Sequence, residues 1–263
     1  STYPESLSAG YFTGGLSAVG RSADDIYAAC YEQLRAKSLE YYKRFPGDRV
    51  RFAELAALAK KGEIATPSGD VVCPSRLRSL GHVLGASGGA EKLHYLLEYP
   101  HTSRAFRHDL AELLPYGGRN PLYAVIHESS YADGVVTDWS AARMLPDDFR
   151  EDPTLLTGEH IMPEWFDTDQ ELRPWKEVAD LIANHPWPKL YDPDVLRTAE
   201  VPCAAAVYHD DAYVPRKFSL ETAALLPQMH AWVTTEYEHN GSNASGGAVL
   251  DRLIKLAKGE IVR

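Results

Sequence analysis

The chain has 263 residues, of which 37 are acidic and 27 are basic, so its formal net charge is −10 at pH 7. This balance argues against a nucleic-acid partner, which would favour a basic face. No stretch approaches the roughly 18 apolar residues needed to cross a bilayer, and we recognise no signal peptide. We therefore expect no membrane partner and a cytoplasmic location. The acidic balance fits either a positively charged substrate or solubility alone.

Cysteine and histidine patterns give no reason to expect a metal site. The three cysteines, Cys30, Cys73 and Cys203, are far apart and form no C-x-x-C pair, and the ten histidines include no H-E-x-x-H motif. Ligands at such short spacings are the usual signature of zinc sites. We predict no metal and no other cofactor, and we expect reduced cysteines.

One strand and a long helical stretch are predicted before residue 200. Segment 7–16 is short, apolar and rich in glycine at its end, as in a buried strand that stops at a turn. From Asp24 the apolar residues keep a near-helical spacing until Pro46. A small hairpin is predicted over 64–72, and an acidic, loop-rich stretch covers 147–171. Further helices are predicted over 49–61, 76–99 (broken at 85–89), 120–132, 172–183 and, as a short turn, within 191–200.

The C-terminal part of the chain alternates between strands and helices. Strands are predicted over 201–208 and 232–237, and helices over 216–226 and 246–257. This alternation is the βαβ pattern of a parallel sheet. Together with the first strand it gives a sheet of three strands, which is small against the typical size of about 4–6. We therefore expect the sheet to be completed by strands outside this chain.

Two polar residues follow the last two predicted strands. Asp211 comes after the strand at 201–208, and His239 comes after the strand at 232–237. In open α/β sheets, functional groups lie on loops beyond the carboxyl ends of the strands. A carboxylate there can orient an imidazole, and acid before base is the chain order of α/β hydrolases. The alternatives are that Asp211 is a cap or turn residue and that His239 is an ordinary surface histidine.

Segments 208–215 and 237–241 resemble the acid and base loops of proline iminopeptidases, which are α/β hydrolases with a helical cap. The resemblance extends to segments 1–16, 80–98, 120–128 and 157–159, and so to essentially the whole chain. It implies an α/β fold containing only the C-terminal strands of a mostly parallel hydrolase sheet, with an inserted cap. The implied domains are a core strand at 1–20, the cap at 21–193 and the rest of the core at 194–263.

The resemblance assigns the acid and base roles to Asp211 and His239. Asp211 fits better than its neighbour Asp210, because the family's acid is followed by a short stretch that ends at a Val-Pro-like position, as at Val214 and Pro215. The nucleophile is expected upstream of this chain, on a Gly-x-Ser-x-Gly elbow. One literal match occurs at 85–89, centred on Ser87. We reject it, because an elbow needs a buried strand before it and the preceding residues look helical.

The resemblance also implies how a substrate is bound. An aminopeptidase must hold a free ammonium group, which partly buried carboxylates do well. Glu128 matches the family's cap glutamate best, and Glu159 and Asp167 are candidates for a second acid. An apolar wall for a proline ring is expected from three aromatic residues, Tyr131, Trp165 and Phe166. The alternative is that these aromatics are ordinary core and that the acids are solvated.

The function implied by the resemblance is release of N-terminal proline from small peptides with a free N-terminus, through an acyl-enzyme. Two alternatives remain open. One is that the chain is part of another hydrolase, such as an esterase, and the other is that it is a truncated hydrolase without catalysis that binds a partner. An oxyanion loop and a serine elbow upstream would favour the peptidase.

Overall fold

In the computed structural model, which describes residues 3–117 and 120–262, three strands form one parallel sheet. They are β1 (Gly10–Phe12), β2 (Cys203–Tyr208) and β3 (Met229–Thr234), in the order β1-β2-β3. Cys203 of β2 is in register with Gly10 on one side and Met229 on the other. The parallel sheet predicted from the βαβ pattern is therefore confirmed, with the strand nearest the N-terminus beside the first strand of the C-terminal part.

The strand boundaries differ from those predicted. Strand β1 covers only three residues of the apolar segment 7–16, and β3 begins at Met229 and ends at Thr234 rather than spanning 232–237. The register with β2 fixes these limits, since Cys203 pairs with Met229 and Tyr208 pairs with Thr234. All six residues of β2 are buried, whereas β3 is partly exposed along its length. Side-chain apolarity is therefore a poor guide to where β3 begins.

Helices occupy most of the chain between β1 and β2, and we call residues 23–198 the helical region. Its longest helices are α1 and α2, which follow each other with only Phe45 between them. The α-helices of the region are α1 (Ala23–Arg44), α2 (Pro46–Lys60), α3 (Pro74–Arg78), α4 (Gly89–Glu98), α5 (Arg104–Leu113), α6 (Pro121–Ile126), α7 (Ser140–Arg143), α8 (Asp147–Glu151), α9 (Trp165–Thr168), α10 (Lys176–Ala183) and α11 (Pro193–Thr198). Short 3-10 helices cover Ser79–Gly85, Glu128–Tyr131 and Arg173–Trp175.

Two predictions for the helical region need correction. The hairpin predicted over 64–72 is reduced to one antiparallel bridge between Ala65 and Val71. Helix α5 was not predicted at all. Only Phe106 and Leu110 are buried along it, so its apolar stripe is one residue wide and is hidden among polar neighbours. The break predicted at 85–89 is present, because α4 begins at Gly89.

Three helices follow β2: α12 (Arg216–Ala223), α13 (Gly241–Ala244) and α14 (Ala248–Ala257). Helix α14 packs on one face of the sheet, where Val249 and Leu253 join Ala204 and Ala206 in a buried cluster. The small alanine side chains of β2 allow this helix to lie close to the strand. Among the described residues, no helix is both long enough and apolar enough to cross a membrane.

The helical region has two apolar cores of its own. One core contains residues from each of the helices α1, α2, α3, α4 and α5 and includes Phe52, Leu77 and Leu93. The other surrounds Tyr27 and Tyr31 and extends to α9 and α10. Because α1 contributes to both cores, it is the element that holds the helical region together. Its N-terminus lies close to the sheet end where the C-terminal loops emerge, since Ile26 and Cys30 pack against Phe218 of α12.

Candidate active site

Asp211 and His239 meet at the carboxyl end of the sheet. Asp211 lies three residues beyond β2, and His239 lies five residues beyond the neighbouring β3. The Nδ1 atom of His239 is 2.8 Å from Oδ2 of Asp211. Oδ1 of the same carboxylate accepts the backbone N–H groups of Tyr213 at 2.8 Å and Val214 at 3.0 Å. Both oxygens are therefore used, and the carboxylate is held in one orientation.

The environment of His239 favours its protonated form. Burial alone would lower its pKa, but the hydrogen bond and the charge of Asp211, with a smaller contribution from Glu159, raise the pKa above its ordinary value. The Asp211 side chain is only 1% exposed, whereas that of His239 is 34% exposed. A buried carboxylate behind a partly open imidazole is the arrangement of an acid that orients a general base. With Nδ1 bound to Asp211, Nε2 is the ring nitrogen left for a reacting group.

A glycine and a tyrosine enclose the imidazole. A side chain at Gly14 would place its Cβ 3.0 Å from Cε1 of His239, so the ring lies directly on the glycine backbone. The Tyr213 ring meets the His239 ring edge-on, with centroids 5.0 Å apart. These contacts fix the plane of the imidazole as well as its hydrogen bond.

An apolar cavity of about 230 Å³ is lined in part by Gly14 and Tyr213, the two residues that enclose the imidazole. Tyr131, one of the predicted aromatic residues, lines it together with Ile26 and Phe218. This volume is below the usual range for ligand pockets, roughly 300–1,000 Å³, and suits one small apolar group. The other lining residues are Gly15, Leu16, Ser17, Ala18, Ser130, Asp133, Tyr191, Val214 and Pro215.

Glu128 is buried near this cavity, at the start of the 3-10 helix that carries Tyr131. Its Oε2 atom accepts the backbone N–H of Ala141 at 3.1 Å. Its Oε1 atom has no hydrogen-bond partner among the described residues. Buried polar atoms are rarely left without a partner, so Oε1 retains an unused capacity to accept a hydrogen bond.

Glu159 is a partly buried carboxylate, and it pairs with His127, the residue directly before Glu128. Its Oε2 atom is 3.2 Å from Nε2 of His127. Burial alone would raise the pKa of Glu159, but His127 and then His82 outweigh it and lower the pKa to about 2. Glu128 and Glu159 both raise the pKa of the buried Tyr27 hydroxyl, although burial and Tyr131 contribute more. Glu159 lines an open cavity together with His82, Tyr116 and Tyr123, and this cavity is not the one that Tyr131 lines.

Three other predicted residues lie away from this group. Asp167 is 54% exposed and forms an ion pair with Lys176. Trp165 and Phe166 are fully buried in the second core of the helical region, where the Trp165 indole N–H donates to Ser75. The structure thus brings together Asp211 and His239, with Glu159 close enough for its charge to act on His239. Tyr131 lines the cavity next to them and Glu128 lies on the same 3-10 helix as Tyr131, whereas the other three residues lie outside. Asp210 is also apart, since it is exposed and contacts His209 at 2.8 Å.

The glycine-rich segment at 85–89 does not follow a strand. The residues before it form the 3-10 helix Ser79–Gly85, and Ser87 is exposed. The backbone carbonyl of Gly85 accepts the backbone N–H of His239 at 3.0 Å. The backbone N–H of Ser87 donates to Oδ1 of Asn240 at 3.0 Å. The segment is therefore next to His239, although its geometry is not that of a nucleophile elbow.

Several residues around the site were not predicted from the sequence. His127 pairs with Glu159, and His82 stacks on Tyr213 with ring centroids 5.0 Å apart. Lys37 is buried and pairs with Glu238 at 2.7 Å. Two sequence features could have indicated part of this surrounding. His127 directly precedes the candidate Glu128. The glycine cluster at 85–89 could have indicated a close contact with the site, because glycine often marks a close approach of backbone to a side chain.

No model of a known protein family matches this chain. Over 97% of its length the chain is 38% identical to the proline iminopeptidase of Aeromonas sobria, of which it covers 62%. Over 99% of its length it is 24% identical to proline iminopeptidase aneH of Aspergillus aculeatus, of which it covers 61%. The chain thus spans about three fifths of the length of these curated relatives.

Proposed function

Because this chain belongs to the proline iminopeptidase family, we propose that the complete protein releases N-terminal proline from peptides through an acyl-enzyme. The observation that carries the proposal is the Asp211–His239 pair, in which Nδ1 of His239 is 2.8 Å from Oδ2 of Asp211, next to an apolar cavity. The helical region adds two carboxylates, the buried Glu128 and the partly buried Glu159. A general base, a small apolar pocket and carboxylates that bind an amine are parts that such a reaction needs in addition to its nucleophile.

In the proposed mechanism, a serine outside this chain attacks the carbonyl carbon of the N-terminal proline. Nε2 of His239 takes the serine proton as the C–O bond forms, and then passes it to the leaving amine as the C–N bond breaks. Water then attacks the acyl carbon while Nε2 of His239 takes its proton. The proton passes to the serine oxygen as the acyl C–O bond breaks and proline is released. Asp211 holds the imidazole in the tautomer that leaves Nε2 free to accept this proton.

Glu128 and Glu159 would bind the ammonium group of the substrate. The free Oε1 atom of Glu128 supports this role, as does the low pKa of Glu159, which keeps that carboxylate ionised. The cavity lined by Tyr131, Ile26 and Phe218 would hold the pyrrolidine ring. Within this proposal, residues 21–193 form the cap of the hydrolase, and 1–20 with 194–263 belong to its core.

The first test is His239→Ala in the full-length protein, assayed with a proline arylamide. We expect a loss on the order of 10⁴-fold or more in kcat, because removal of the general base disables the whole catalytic unit. His230→Ala on the exposed side of β3 is the matched control and should keep its activity. Turnover retained by His239→Ala would remove this residue from the mechanism.

A fluorophosphonate probe separates the proposed function from its alternatives. The full-length protein should be labelled on a serine outside this chain and should hydrolyse the proline arylamide. An esterase-like enzyme would be labelled without cleaving the arylamide, and a binding module would not be labelled. Labelling of Ser87 would show that our rejection of this residue as nucleophile is wrong.

A further inference from the structure

We propose that residues 82–87, together with Lys37, position the acid and base loops against each other, so that the helical region sets the geometry of the Asp211–His239 pair. We call residues 82–87 the positioning segment. The proposal rests on the proposed function for its kinetic consequences, but its structural part concerns His239 alone. In this role the segment touches no substrate and acts through the residues it contacts.

Three successive residues of the base loop are held by the helical region. Nζ of Lys37 on α1 is 2.7 Å from Oε2 of Glu238. The backbone N–H of His239 donates to the carbonyl of Gly85 at 3.0 Å, and Asn240 accepts from the backbone N–H of Ser87 at 3.0 Å. Contacts on the base residue and on both its neighbours restrict the position of its Cα as well as the direction of its side chain.

The positioning segment also contacts the acid loop, through Tyr213. The Tyr213 hydroxyl donates to the backbone carbonyl of His82, and the two rings stack. Gly85 lies against the same ring, since a Cβ at this position would come within 2.1 Å of Cζ of Tyr213. The backbone N–H of Tyr213 in turn donates to Oδ1 of Asp211. One short segment thus touches both the residue that holds the carboxylate and the residue that carries the imidazole.

The ion pair of Lys37 is better explained by geometry than by stability. The Lys37 side chain is only 7% exposed and that of Glu238 is 33% exposed. Removing a lysine ammonium from water costs about as much free energy as its attraction to a carboxylate returns, so buried ion pairs stabilise little in general. Buried ion pairs are better attested as determinants of which parts of a structure contact each other. Here the groups that meet are α1 and the loop that carries the catalytic base.

The glycine-rich motif at 85–89 therefore has a use that does not involve a nucleophile. Glycine is required at 85 because the Tyr213 ring occupies the space of any side chain. The backbone groups of Gly85 and Ser87 are then directed at the base loop. A displacement of about 1 Å in such a contact can cost on the order of 100-fold in rate, because the reacting groups must meet in a narrow range of geometries.

The test is Gly85→Ala, with two measurements. In the full-length protein, NMR of the histidine side chains reports the pKa of His239 and its Nδ1 proton. We expect the raised pKa to fall toward the ordinary value and the Nδ1 resonance to weaken. In the full-length protein we expect kcat to fall on the order of tenfold, with KM changed less than twofold. Gly47→Ala in α2 is the matched control, since its Cβ would make only an ordinary contact with Nη1 of Arg51 at 4.0 Å.

A second pair of variants covers the case in which Gly85→Ala does not fold. Lys37→Met should lower kcat with KM unchanged, and the exchanged pair Lys37→Glu with Glu238→Lys should recover part of the loss. The control is Glu221→Gln, which removes the ion pair between Glu221 of α12 and Arg21, just before α1. This pair also links the start of α1 to the C-terminal part of the chain, but it does not contact the base loop. Glu221→Gln should have no effect on His239.

An unchanged NMR signature of His239 in Gly85→Ala would overturn the proposal, as would an unchanged signature in Lys37→Met if Gly85→Ala does not fold. A loss of kcat in Glu221→Gln equal to that in Lys37→Met would also overturn it. The NMR outcome is independent of the substrate. If the signature changes as expected while the full-length protein cleaves no proline arylamide, the positioning role stands and the proposed function fails.

Discussion

At the scale of single residues, the proposed mechanism makes the charge state of His239 set the pH range in which the site can act. The pKa of His239 is raised, because Asp211 and Glu159 together outweigh the effect of burial. For stability, the pairing contributes fully below the pKa of the unfolded histidine and is lost as pH rises through the higher folded pKa. For catalysis the sign is opposite, because a general base must be neutral.

We therefore predict that kcat/KM of the full-length protein rises with pH along a limb whose midpoint lies above about 6.5, the ordinary pKa of histidine. The measurement is a pH profile with a proline arylamide, compared with an NMR titration of His239. In Asp211→Asn the titration midpoint should move down, because the charge that raises it is gone. A limb below the ordinary histidine pKa would contradict the assignment of His239 as the base.

The carboxylates proposed to bind the ammonium group, Glu128 and Glu159, lead to a prediction about substrate choice. Glu128→Gln and Glu159→Gln should each lower kcat/KM for a proline arylamide by about 10- to 100-fold, as expected from the loss of a charged hydrogen bond worth about 1.5–3 kcal/mol. Simple esters without a free amine should lose much less. Asp147→Asn, which removes a fully solvated acid from the same acidic stretch, is the control. Equal losses for amines and esters would argue against amine binding.

At the scale of elements, helix α1 begins at a capping box. The Ser22 hydroxyl accepts the N–H of Asp25 at 3.1 Å, and the Asp25 carboxylate accepts the N–H of Ser22 at 3.1 Å. Because α1 joins both cores of the helical region, a weaker start should lower the stability of the whole region. We predict that Ser22→Ala lowers the free energy of unfolding by about 1 kcal/mol in urea denaturation, whereas Ser22→Thr has a smaller effect.

The elements that could be predicted from the sequence are those with a local signal. Helix α1 has its cap, its apolar spacing and Pro46 after it, and β2 is a short apolar run between polar turns. Strand β3 has no such signal at its start, since Met229 and His230 join the strand only because β2 provides hydrogen-bond partners. Register is a tertiary property, so a single segment cannot reveal it.

The candidate site likewise contains residues that could be predicted from the sequence and residues that could not. Asp211 and His239 could be predicted because parallel strands bring their following loops together, which is a rule of topology. Glu128 and Glu159 were expected only from the resemblance. The separation of Glu159 from Asp167 could not be predicted, because both lie in one acidic stretch and only packing buries the first and exposes the second.

At the scale of the whole molecule, the net charge of −10 creates a field that attracts cations. The proposed substrate carries a free ammonium group, so its association should depend on ionic strength. We predict that KM for a proline arylamide rises about two- to threefold between about 0.01 M and 0.15 M salt, as the Debye length falls from about 30 Å to about 8 Å. An uncharged ester is the control, and the same increase for both substrates would refute electrostatic attraction.

The two oxygens of Asp211 have different hydrogen-bond partners. Oδ1 accepts two backbone N–H groups of its own loop, and Oδ2 bonds to the imidazole of His239. A carboxylate used in this way is a spacer of fixed length between two parts of the chain. Glutamate carries the same charge on one more methylene, so it could reach the ring only by releasing the amides, or keep the amides only by crowding the ring. The identity of this acid is therefore set by distance as much as by charge.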